Sequence, residues 1–153
     1  MELVYCILYI AALGIASHFL GNALPRRWFD ETRFPYRSFS WEQEGQIYRK
    51  IRIQSWKDRL PDMSKICRDM VRKEVKSRPT ADSTKRLIQE SCVAELVHFL
   101  LIFASVPVMV IWKGAWGKLV FVLCILGNLP FLLIQRYNRP RLCKLYRRLS
   151  KQN

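Results

Sequence analysis

The sequence predicts an all-α integral membrane protein. Three transmembrane helices are expected at about 3–24, 93–112 and 119–134, with an amphipathic helical insert on the cytoplasmic side. Three observations carry that expectation. Half of the 153 residues are apolar, and they gather into three blocks separated by basic sequence. The 26 Lys and Arg residues, set against 12 Asp and Glu for a net charge of +14, are spread unevenly along the chain. The intervening segment carries helix caps and one-sided apolar spacing.

The first block, Leu3 to about Leu24, is long enough to cross ~30 Å of hydrocarbon at ~1.5 Å per residue. Glu2 stands where a cleaved signal would carry positive charge, and Arg26 and Arg27 follow the block, so a retained helix is expected. The second block runs from about Val93 to Trp112, with Pro107 placed to bend it. Gly114 and Gly117, flanked by Lys113 and Lys118, break the chain before the third block at Leu119–Ile134. So short a turn predicts an antiparallel hairpin.

Lys and Arg also predict orientation. Residues 25–92 carry 17 of them and the stretch after Ile134 carries seven, against two in the 113–118 turn and none before the first block. The insert (25–92) and the basic tail (135–153) are therefore expected in the cytoplasm, with the amino terminus and the hairpin tip outside. One multi-pass membrane domain is expected to account for the whole chain. Basic charge also suits nucleic acid, but the apolar blocks assign it to membrane lipid, and no nucleic-acid partner is expected.

Within the insert, residues 25–40 mix arginines with Trp28, Phe29, Phe34, Tyr36 and Phe39, the composition of a loop at the lipid headgroups. Ser40-Trp41-Glu42-Gln43 reads as a capping box opening a helix to about Trp56 or Arg59. Asp62 is expected to cap a second helix over 63–77. That helix places Met63, Ile66, Cys67, Met70 and Val71 on one face and basic residues on the others, the pattern of an interfacial helix or of a solvated helix packed on the protein's own core. Asp82 or Ser83 is expected to cap a further helix running without a break into the second span. The five cysteines form no CxxC pair and read as plain thiols. The common nucleotide-binding, metalloprotease and serine-hydrolase motifs are absent, and no metal is implied.

Glu95 and His98 lie inside the second block, three residues apart and so on one helical face with Ser91 and Ile102. Ionisable side chains in hydrocarbon persist when they pair, line a polar cavity or do chemistry. Asn128 in the third block lies at a depth similar to that of His98. Gln135, Arg136, Tyr137, Asn138, Arg139 and Arg141 follow at the cytoplasmic boundary. His98 suits a general base for a hydroxyl, with Glu95 as its orienting group. Asn128 and Gln135 suit oxyanion or substrate donors, and Arg136, Arg139 and Arg141 suit phosphates or headgroups. Trp56, Lys57 and Asp62 are further candidates for substrate binding. His18 in the first span is read as incidental. This constellation fits acyl transfer from acyl-CoA or acyl carrier protein to a lipid-borne hydroxyl, with no bound cofactor. The rival is a non-catalytic membrane scaffold or lipid-binding subunit, in which the polar pair only packs helices. Three spans give thin shelter, so a homo-oligomer is also expected.

The chain resembles a known family. Leu24-Pro25 with Trp28-Phe29, Arg37-Ser38-Phe39 with Glu42 and Gly45, and Trp56-Lys57 with Asp62 carry part of the likeness. Ala94-Glu95-Leu96-Val97-His98, Asn128-Leu129-Pro130 and Gln135-Arg136-Tyr137-Asn138-Arg139-Pro140-Arg141-Leu142 carry the rest. Together they resemble the glycosyl-4,4'-diaponeurosporenoate acyltransferases, small bacterial membrane proteins of carotenoid biosynthesis. The resemblance implies transfer of a fatty acyl group to a glucose hydroxyl of a glycosylated carotenoid acid, toward a staphyloxanthin-type pigment.

Overall fold

A computed structural model describes residues 1–60 and 79–152. These are helical, with no strand among them: α1 (Glu2–Ala23), a 3-10 turn (Arg26–Trp28), a 3-10 stretch (Ser40–Arg49), α2 (Ile53–Trp56), a 3-10 turn (Lys57–Arg59), α3 (Ala81–Ala104), α4 (Val108–Ile111) and α5 (Ala115–Leu149). The helix expected over 63–77 and its cap Asp62 lie outside the described residues. Three stretches are long and apolar enough to cross a membrane: Glu2–Ala23, Ala81–Ile111 and Ala115–Leu149. The protein is an all-α membrane protein.

Local chemistry explains where the helices begin and break. α3 is capped by Thr80, two residues before the expected Asp82 and three before Ser83. The Thr80 N–H donates to Ser83 Oγ at 3.0 Å, and the Ser83 N–H donates to Thr80 Oγ1 at 3.2 Å. That reciprocal pair satisfies two amides that otherwise have no helical partner. Asp82 already lies inside the first turn. α3 runs unbroken to Ala104 and the chain restarts as α4 behind Pro107, as that proline predicts. At the next turn Gly114 adopts φ +87°. A Cβ on Gly117 would overlap the carbonyl oxygen of Trp112. α5 does not stop at Ile134: the basic residues continue it to Leu149, through Pro130 and Pro140.

The largest departure is at 40–59. In place of one helix, the 3-10 stretch is interrupted by three consecutive left-handed residues: Gln43 (φ 49°), Glu44 (φ 54°) and Gly45 (φ 84°). The helix begins behind Phe39, whose N–H donates to Glu42 Oε2 at 2.7 Å. The Glu42 side chain then turns into the interior and the backbone turns with it.

The residues form two compact units: Met1–Leu24 with Ala94–Leu132, and Pro25–Val93 with Leu133–Asn153. In the first, the Tyr9 hydroxyl donates to the Ala104 carbonyl at 2.7 Å, supplying a partner to the frayed last turn of α3. Gly21 lets α1 approach Val97 closely.

The second unit has an apolar centre of Tyr48, Ile53 and Tyr137, with Ile47, Trp56, Leu133 and Ile134 packed against it. Ion pairs hold its segments together. Arg26 meets Glu90 through two bonds of 2.9 and 3.0 Å, and Lys85 Nζ meets both Glu31 oxygens at 2.9 Å. Glu42, 1% exposed, accepts Arg136 Nε at 2.5 Å and Nη2 at 2.8 Å, and also accepts the Tyr48 hydroxyl. Arg136 Nη1 and Nη2 reach the carbonyls of Pro35 and Arg37, each at 3.1 Å. Burial by itself raises the Glu42 pKa, but the bonds from Arg136, Tyr48 and Phe39 outweigh it and hold the carboxyl below the usual range. Burial and the bond to Glu42 push the Tyr48 phenol up, so it stays a neutral donor.

Pro140 explains why this surface of α5 accepts the loop. Proline has no N–H, so the carbonyl of Arg136 loses its helical donor. Gly45 approaches there: a Cβ on it would stand 3.2 Å from the Tyr137 oxygen and 3.4 Å from the Arg136 oxygen. The Arg141 guanidinium donates to the Tyr137 carbonyl and lies 3.4 Å over its ring.

Gly45→Ala is expected to lower the melting temperature by a few degrees. It adds ~1–2 kcal/mol of left-handed strain and crowds the Tyr137 carbonyl. Gly14→Ala, inside α1 with open space around it, is the control expected not to lower the melting temperature. Because folding lowers the Glu42 pKa, its contribution to stability is present above the ordinary glutamate value and is lost as pH falls through the folded value. Melting scans in detergent are expected to show destabilisation below pH ~4.3. Glu42→Ala leaves the Arg136 charge uncompensated and is expected to cost about 3–5 kcal/mol at neutral pH.

Candidate functional site

The polar residues of the first unit meet where α3 and α5 run side by side. His98 Nδ1 lies 2.9 Å from Asn128 Oδ1, and Asn128 Nδ2 donates to the Cys124 carbonyl at 2.9 Å. That second bond decides the chemistry of the first. With its amide nitrogen committed to a backbone oxygen one turn earlier on α5, Asn128 presents only its oxygen to the imidazole. An oxygen acceptor requires a proton on Nδ1, assigned here from the hydrogen-bond pattern. In the neutral imidazole the lone pair then lies on Nε2.

The His98 ring is further fixed by Phe131, whose ring stacks on it at 4.7 Å and 7°. Phe131 lies three residues after Asn128 on α5, so one helix supplies both the hydrogen-bond partner and the stacking face. Glu95 sits one turn before His98 on α3 and is 8% exposed. A second His–Asn couple, His18 and Asn22, lies on α1 with 3.2 Å between its side chains.

The boundary residues belong to the second unit. Arg139, 3% exposed, donates Nε to Ser91 Oγ at 2.8 Å, Nη2 to the Ser91 carbonyl at 3.1 Å and Nη1 to the Tyr36 carbonyl at 2.8 Å. Ser91 Oγ in turn donates to Ile88. With Arg136 clamped on Glu42 and Arg141 on the Tyr137 carbonyl, all three expected phosphate ligands make intramolecular bonds. An incoming phosphate has to compete with those bonds. Gln135 and Tyr137 are buried, and Asn138 is half-buried. Trp56 packs on the core and donates to the Ile51 carbonyl at 3.0 Å, and Lys57 pairs with Asp58 at 2.8 Å. Asp62 lies outside the described residues. No group of three or more His, Cys, Asp or Glu side chains able to hold a metal occurs among the described residues.

Sequence reasoning missed Glu42 and Tyr48 as partners of Arg136. The signal within reach was Glu42 three residues after Phe39, a spacing that announces only its capping role.

Comparison with known proteins gives this helical membrane chain its relatives. Residues 25–148 match the family described as glycosyl-4,4'-diaponeurosporenoate acyltransferase. Curated proteins of that name from Staphylococcus aureus are similar along nearly the whole length. The protein of strain MRSA252 is 29% identical over 153 residues, spanning 97% of this chain and 90% of its own. The proteins of strains RF122 / ET3-1 and N315 are each 30% identical over 155 residues, with the same coverage. No solved structure matches the chain. With the family match spanning most of its length, this protein belongs to the glycosyl-4,4'-diaponeurosporenoate acyltransferase family and is an acyltransferase.

Proposed function

We propose that the protein transfers a fatty acyl group from a thioester donor, acyl-CoA or acyl carrier protein, to a sugar hydroxyl of a glycosylated carotenoid acid or a similar glycolipid. The reaction takes place at the cytoplasmic leaflet, with the amino terminus outside and the carboxyl terminus in the cytoplasm. The names of the relatives support the acceptor, and the distribution of Lys and Arg supports the leaflet. The observation that carries the mechanism is the His98–Asn128–Cys124 chain of hydrogen bonds, which leaves Nε2 as the basic nitrogen.

In this reading His98 Nε2 takes the proton of the acceptor hydroxyl as its oxygen attacks the thioester carbonyl. A tetrahedral oxyanion forms, the C–S bond breaks, and the departing thiolate recovers the proton from the imidazolium. Asn128 holds the tautomer, as an orienting amide does in cysteine–histidine–asparagine sites. Phe131 prevents the ring from turning. Glu95 is buried one turn away on the same helix.

Lipid mass spectrometry of reconstituted protein tests the proposal. His98→Ala is expected to lower formation of the acylated product at least ~10²-fold with helicity and melting unchanged. Asn128→Leu is expected to lower turnover less severely and to shift its pH profile, because the tautomer is no longer held. Full activity in His98→Ala removes the histidine from the mechanism. Loss of the folded protein in that variant assigns the pair to helix packing instead.

A further inference from the structure

Three rings of the second unit form a contiguous ladder. Phe34 lies 6.4 Å from Phe39, and Phe39 lies 6.2 Å from Trp41 with their planes 10° apart. The outer two are open: Phe34 is 74% exposed and Trp41 58%. The ladder is braced and not floppy. Arg136 places its guanidinium 4.7 Å over the Phe39 ring and bonds the carbonyls of Pro35 and Arg37 on the same loop. Phe39 is held a second time, by its N–H on Glu42. The loop therefore holds large apolar rings in a fixed, outward position where water gains nothing from them. Such a patch marks a contact surface.

The flanking residues identify the partner. Arg33, which pairs with Asp30 at 3.1 Å and keeps 82% of its side chain exposed, and Arg37, also exposed, sit among the rings in sequence. The loop begins directly after α1, a helix long enough to cross a membrane. Aromatic rings at the glycerol level and guanidinium groups at the phosphates are the arrangement that a bilayer interface selects. Positive charge selects an anionic leaflet over a zwitterionic one. We infer that the Phe34–Phe39–Trp41 ladder is a membrane-docking surface that inserts at the headgroup level of an anionic leaflet, with Arg33 and Arg37 on lipid phosphates. The inference stands whether or not His98 is the catalytic base.

The test uses the full chain in vesicles of phosphatidylcholine, with and without phosphatidylglycerol, each doped with lipid brominated near the glycerol end of its acyl chains. Both leaflets are alike, so the direction of insertion does not affect the reading. The tryptophan fluorescence of the wild type is expected to be quenched more than that of Trp41→Phe, a variant that keeps a ring in the ladder. The difference is expected to grow with phosphatidylglycerol and to shrink in high salt and in the charge-reversed Arg33→Glu/Arg37→Glu protein, whose helicity is checked by circular dichroism. Equal quenching of wild type and Trp41→Phe overturns the inference, because the indole then faces water or another copy of the chain. A difference indifferent to phosphatidylglycerol, salt and charge reversal overturns it as well, because the rings then contact apolar chains without reading headgroup charge.

Discussion

The second unit is organised around one cation. Arg136 joins segments 94 residues apart through Glu42 and also holds two backbone carbonyls and an aromatic face. A carboxylate buried as deeply as Glu42 is tolerated because every electrostatic demand it makes is met: two guanidinium bonds, a phenol and a backbone amide. The consequence runs outward. Drawing Glu42 inward forces the left-handed turn at 43–45. That turn brings Gly45 onto the carbonyls of Tyr137 and Arg136, the second of which Pro140 leaves without a helical donor, and the brace on Phe39 holds its aromatic neighbours at the surface. Strain at Gln43 and Glu44 persists because the surrounding contacts over-determine it.

The same logic at smaller scale governs His98. An asparagine in an apolar helix carries a donor and an acceptor that lipid cannot satisfy. Asn128 satisfies the donor on its own helix and turns the acceptor to His98, so its backbone bond sets which imidazole nitrogen holds a proton. The hydrogen bond to Asn128 thus fixes the direction of the His98 ring. An uncharged orienter in a span needs no counter-ion, which a carboxylate in that position would.

Much of the fold was legible along the chain because the responsible signals are local. Hydropathy marked all three spans, Pro107 marked the break before α4, and Gly114 with Gly117 marked the hairpin turn. Local signals failed where a distant partner outweighed them. Ser40-Trp41-Glu42-Gln43 has good helix-start chemistry, yet no continuous helix follows, because Glu42 gains more from Arg136 and Tyr48 than the backbone loses at the turn. The hydroxyl of Thr80 took the cap from Asp82, a choice between neighbours that composition leaves open. The arginines after Ile134 read as a basic tail, since charge alone does not reveal that Arg139 is buried on Ser91 and Tyr36.

The sequence by itself determined a helical membrane protein with a histidine and an asparagine in facing spans, since length, apolar content and helical spacing are properties of contiguous residues. Only the tertiary structure decided that Asn128 Oδ1 accepts a hydrogen bond from one particular nitrogen of His98. It alone showed that Arg136 belongs to Glu42, and that Phe34 and Trp41 are held outward. Each of these depends on bond directions between side chains far apart in the chain, and one-dimensional spacing carries no information about direction.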